Sequence, residues 1–78
     1  MQRVRVLAGP ALNLTLKSNG ATRRWSIRPS LRDSRQWSFE KQLPNGSIYG
    51  ELPTAEQALA KHRQFESEIA VSRAEGWE

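Results

Sequence analysis

The sequence predicts one α+β domain: an antiparallel sheet of four or five strands, carrying two Asn-Gly hairpins, with one C-terminal helix packed on one face. Three observations lead there. Asn19-Gly20 and Asn45-Gly46 each stand between runs of alternating apolar and polar residues. From Ala55 onward the apolar spacing changes from about two residues to about 3.6. The 78 residues contain no repeat, linker or low-complexity run, so residues 1–78 read as a single unit.

Gln2 to Leu7 alternates and reads as a strand over about 2–7, with Gly9-Pro10 turning into the next. The first hairpin joins strands over about 11–17 and 23–28. Its Asn19-Gly20 turn suits type I′, which needs positive φ at both central positions. That turn sets Leu14 opposite Trp25, Leu12 opposite Ile27, Thr15 opposite Arg24 and Ala11 opposite Arg28. One face comes out apolar and the other basic and polar. A slip of one residue would destroy that separation.

Arg28 to Gln36, with Pro29, two serines and Asp33, reads as the loop between the hairpins. The second hairpin joins strands over about 36–43 and 47–52. The same turn type at Asn45-Gly46 sets Phe39 opposite Leu52 and Leu43 opposite Ile48. Trp37, Phe39, Leu43, Ile48 and Leu52 then share the buried face, as Trp25 does in the first hairpin. Pro44 disagrees, because it has no N–H for the ladder. A type I turn through Pro44-Asn45 with a bulge at Gly46 suits the proline but sets Phe39 opposite Glu51. The apolar face decides for the first register.

Pro53-Thr54-Ala55-Glu56-Gln57 announces a helix over about 55–75. Thr54 caps it, and Gln57 completes a capping box. Ala58, Leu59, His62, Phe65 and Ile69 form its apolar stripe, while Glu56, Lys61, Gln64, Glu68 and Glu75 form a solvated outer face. Gly76 fits a left-handed C-cap, with Trp77 folding back toward Val71. Hairpins alone bury too little to be stable, so the helix serves as a structural lid.

Composition excludes several classes of function. With no cysteine there is no disulfide, thiolate zinc site or cysteine nucleophile, and one histidine cannot build a histidine-rich metal site. Apolar runs fall far short of the ~20 residues that span a bilayer, so no membrane partner is expected. The Arg-Val alternation at the N-terminus lacks the apolar core of a signal peptide, and a soluble, cytoplasmic protein is expected. His62 and Glu66 lie four apart on the helix and read as a structural pair. The eight serines include no G-x-S-x-G elbow, and no glycine-rich phosphate loop follows a strand. The sequence reads as no enzyme, with no cofactor.

Charge is the informative feature. Lys and Arg number 12 against 8 Asp and Glu, a net of +4. Residues 1–41 hold nine basic and two acidic residues (+7), and residues 42–78 hold three basic and six acidic (−3). Such an asymmetry suits a face that attracts phosphates or an acidic protein surface. By register, the sheet face opposite the helix carries Arg24 and Arg28 with Lys17, Tyr49, Glu40 and Glu51. Arg32 and Arg35 stand in the adjoining loop, with Arg3 and Arg5 as secondary candidates. Strand-borne arginines contact phosphates without regard to sequence and guanine edges specifically, and a two- or three-stranded sheet fits the major groove. Tyr49 can stack on an unpaired base, but there is little aromatic interleaving, which favours DNA duplexes over single strands and RNA. Glu40 and Glu51 face each other in the preferred register and oppose phosphate binding, unless Arg24 or Arg28 neutralises them.

A resemblance bears on the same face. Arg24-Trp25-Ser26-Ile27, Trp37-Ser38-Phe39 and Gly46-Ser47-Ile48-Tyr49-Gly50 are followed by Leu52-Pro53-Thr54-Ala55-Glu56-Gln57-Ala58. This order of strands, then a helix opening on Thr-x-Glu-x-Ala, resembles the AP2-like DNA-binding domains, including the arm-binding domains of phage-type integrases. The resemblance covers about half the chain and implies three strands entering the major groove with the helix behind them. The chain departs from the family in its extra N-terminal strand or two and in the acids on the would-be reading face. The expected function is non-enzymatic binding, of nucleic acid or equally of an acidic protein partner. A homodimer paired along a sheet edge is also compatible with the pattern.

Overall fold

A computed structural model of the chain describes residues 9–33 and 35–78. The strand expected over 2–7, with Arg3 and Arg5, lies outside these residues. Among the described residues four strands and one helix follow in order: β1 (Leu12–Ser18), β2 (Ala21–Pro29), β3 (Trp37–Leu43), β4 (Gly46–Leu52) and α1 (Ala55–Ala74). The strands form an antiparallel sheet in the order β1-β2-β3-β4.

Asn19 and Gly20 connect β1 to β2 with φ of 49° and 83°. Leu12 stands opposite Ile27, Leu14 opposite Trp25 and Thr15 opposite Arg24. The β3–β4 connection corrects the expectation. Its loop residues are Pro44 and Asn45, Leu43 pairs with Gly46, and Asn45 keeps a negative φ. Trp37 therefore faces Leu52, Phe39 faces Gly50 and Lys41 faces Ile48, instead of Phe39 facing Leu52 and Leu43 facing Ile48.

Two physical reasons account for the shift. Proline presets φ for the first corner of a turn and has no N–H to offer a ladder. Gly50 leaves room for the Phe39 ring, which lies so close that a Cβ there would come 2.6 Å from Phe39 Cζ. The displacement is two residues, so every side chain keeps the face that the alternation gave it.

The core gathers Leu16, Trp25, Ile27 and Leu52 from the strands with Ala58, Phe65 and Ile69 from α1. Phe39 meets Phe65 edge to face, with ring centres 5.9 Å apart. On α1 the buried residues are Ala58, Phe65, Ile69 and Ser72. Leu59, expected in the stripe, is exposed, because it stands about 100° round the helix from Ala58. Ile48 is also a correction: on the edge strand opposite Lys41 it is 50% exposed.

Thr54 caps α1, its Oγ1 accepting from Gln57 N at 3.1 Å. The Gln57 side chain accepts from the Thr54 hydroxyl at 3.2 Å. At the other end Gly76 takes φ 103°, and Trp77 N donates to Ser72 O at 3.0 Å. Trp77 packs against the core beneath the Arg23 guanidinium, 4.3 Å from its ring centre.

The outer face of α1 is not merely solvated, as the sequence suggests. Glu68 Oε1 accepts from Trp25 Nε1 at 3.1 Å and pairs with Lys41 Nζ at 2.8 Å, while Gln64 Nε2 donates to Oε2 at 3.0 Å. Arg23 Nη1 donates to Ser72 Oγ at 2.8 Å and lies 3.6 Å from Glu75. Lys61 Nζ stands 4.5 Å from the centre of the Phe39 ring. Long polar side chains thus join helix to strands around the rim of a small core. Desolvation pushes the Glu68 pKa up, but hydrogen bonds from Lys41, Gln64 and Trp25, with the Lys41 charge, outweigh it and leave the carboxyl below its ordinary value.

Candidate nucleic-acid interface

Strand alternation places Arg24, Ser26 and Arg28 on one face of β2, with Ser38 and Glu40 beside them on β3. Tyr49 and Glu51 follow on β4. The acids do not face each other as the expected register has it. Glu40 lies opposite Tyr49, and Glu51 lies opposite Ser38.

Arg24 is not a free cation. Its Nη2 donates to Glu40 Oε1 at 3.0 Å, and the Glu40 side chain is only 12% exposed. A carboxylate so placed needs a cation, and Arg24 supplies it. Arg28 is exposed and, among the described residues, has no ion pair. Tyr49 is 69% exposed.

The β2–β3 loop is internally bonded. Ser30 N donates to Gln36 O and Gln36 N to Asp33 O, each at 2.9 Å. Arg32 N donates to Ser30 Oγ at 3.3 Å. Arg35 folds back on Asp33, with its backbone N at 2.9 Å and its Nε at 3.3 Å from Oδ1. The backbone N–H first, then the side chain, holds the Asp33 carboxyl below its usual range. The Arg32 side chain is exposed and, among the described residues, unpaired. Arg24, Arg28, Arg32 and Arg35 carry four positive charges, and Glu40 and Asp33 offset two of them, leaving +2.

Sequence reasoning missed two residues here. Leu31, between Ser30 and Arg32, is 97% exposed. A single leucine in a loop has no periodicity to mark it. Ser26 lies on the polar face and is nevertheless only 5% exposed. No pattern marks a serine as buried.

His62 Nδ1 lies 3.5 Å from Glu66 Oε1 on α1. Among the described residues no group of three or more His, Cys, Asp or Glu is placed to hold a metal ion. Among the described residues no helix is long and apolar enough to cross a membrane. The chain matches no family model, no curated protein and no solved structure.

Proposed function

We propose that this protein is a non-enzymatic binding module that holds duplex DNA through the β2–β3 end of the sheet. The observation that carries this reading is the pair Arg28 and Arg32, exposed and without ion pairs among the described residues, beside the paired Arg24 and Arg35. In this reading α1 covers one face of the sheet, and the opposite face with its loop is the working surface. Arg28 and Arg32 contact phosphates, and Leu31 supplies an apolar contact to a sugar or base edge.

The expected mode of entry changes with four strands. Three spacings of ~4.8 Å put the outer strands ~14 Å apart, wider than a major groove of ~12 Å. The whole sheet therefore does not lie flat in the groove as a three-stranded AP2-like sheet does. The narrower β2–β3 end approaches instead.

Anisotropy of a labelled duplex tests this reading. The double variant Arg28→Ala/Arg32→Ala should lose at least about tenfold in affinity, two phosphate contacts being removed. Unchanged affinity would remove the basis of the proposal.

A protein partner is the second reading, and β4, an edge strand among the described residues, favours it. Ile48 and Tyr49 are exposed there, and the strand holds no Lys, Arg or Pro of the kind that guards an edge. A second copy or an extended segment of a partner would pair along it. In that case Ile48→Lys abolishes association, whereas DNA binding ignores it.

A further inference from the structure

One face of β2 holds donors that nothing among the described residues completes. Arg24, Ser26 and Arg28 leave that face at alternate positions, about 7 Å apart along the strand. They line a depression of about 370 Å³ together with Asn13. Ser26 Oγ and Arg24 Nε are both buried and, among the described residues, have no hydrogen-bond partner. Buried polar atoms are nearly always paired, so two neighbouring exceptions call for an explanation. Both atoms can donate, and Arg28 adds an exposed guanidinium. The group that would complete the set is an acceptor carrying negative charge. Glu40, although it stands opposite Ser26, accepts Arg24 Nη2 on its Oε1 but takes a hydrogen bond from neither Ser26 Oγ nor Arg24 Nε.

We infer that Arg24, Ser26 and Arg28 form a subsite for one phosphate group, with the Arg24–Glu40 contact as its latch. The forked Nε–H and Nη–H of Arg24 match two phosphate oxygens, and the Ser26 hydroxyl donates to one of them. Both unpaired atoms lie below the surface, so the phosphate reaches them as the Arg24 side chain turns out of its contact with Glu40, and the loss of Glu40's cation is the cost that makes this contact a latch. Arg28 draws the anion in. On the DNA reading above, on which this inference rests for its ligand, that phosphate belongs to the nucleic-acid backbone. A free phosphate or phosphomonoester offers the same chemistry.

The test follows arginine Nε–H resonances by NMR while inorganic phosphate is added, and runs duplex DNA in parallel. The Arg24 signal should move and saturate with phosphate. Ser26→Ala should keep its melting temperature, since the hydroxyl has no partner to lose. It should bind both phosphate and DNA about tenfold more weakly, the worth of a hydrogen bond to a charged group. Glu40→Gln, which opens the latch, should bind both more tightly. If Ser26→Ala weakens phosphate but not DNA, the subsite stands with a small phosphate ligand as its occupant. If Ser26→Ala leaves the phosphate response unchanged, the subsite is overturned, and DNA binding through Arg28 and Arg32 survives or falls by its own measurement.

Discussion

Arg24 on β2 and Glu40 on β3 meet at 3.0 Å although they are not opposite each other. Glu40 pairs with Ser26 across the ladder, and Arg24 pairs with Gln42. This diagonal contact makes the two arginines of the face unequal: Arg24 is engaged, and Arg28 is open to a partner.

Glu40→Ala should therefore strengthen DNA binding, because it releases a cation and removes a repelling carboxylate. The log–log salt slope should steepen by up to about 0.9, because Arg24 then meets its phosphate without giving up Glu40. Glu51→Ala, exposed and opposite Ser38, should strengthen binding less, since it frees no arginine. Loss of binding in either variant would instead mark the acids as contacts to a protein partner. The stability of Glu40→Ala should fall by about 1 kcal/mol, more than for a surface pair, because the half-buried Arg24 loses its carboxylate.

Gly50→Ala should destabilise the fold by about 1–3 kcal/mol in denaturant titrations. The new methyl would meet the Phe39 ring. That ring cannot yield easily, being held by Phe65 and by Lys61. A neutral result would mean that Phe39 does not fix the β3–β4 register.

Glu68 gives the fold an acid limit. Its folded-state pKa lies below its ordinary value of 4.5, so its stabilising effect is complete above that pH and is lost as pH falls through the folded value. Glu68→Gln should remove this part of the acid slope while lowering stability at neutral pH. Thermal melts from pH 7 to pH 3 on both proteins check the sign. An unchanged slope would show that the contacts with Lys41 and Trp25 contribute nothing.

The coarse fold was legible because two periodicities are. Alternation in Leu12–Leu16, Trp25–Ile27 and Trp37–Phe39 marks strands, and the change of spacing after Thr54 marks the helix. The β3–β4 register was not legible. It turns on Pro44 at a corner and on Gly50 beneath an aromatic ring, and neither registers as hydrophobic pattern. The ties of Glu68 to Lys41 and of Ser72 to Arg23 were hidden for a similar reason: polar residues on a helix read as solvated until a strand is seen beside them. Within the candidate site, arginine density singled out residues 24 to 35 but could not separate Arg24 and Arg35, which have acid partners, from Arg28 and Arg32.

Binding of a labelled DNA duplex across a salt series from ~50 to ~200 mM bears most directly on the function. With Arg28 and Arg32 each contacting one phosphate, log K should fall against log salt with a slope near −2, at about 0.9 per phosphate. Arg28→Ala and Arg32→Ala should each remove about one unit, whereas Arg24→Ala should weaken binding but change the slope less, since Glu40 already offsets its charge. Failure to bind at the lowest salt, or a slope indifferent to Arg28 and Arg32, would contradict the DNA reading and leave the β4 edge as the surface to pursue.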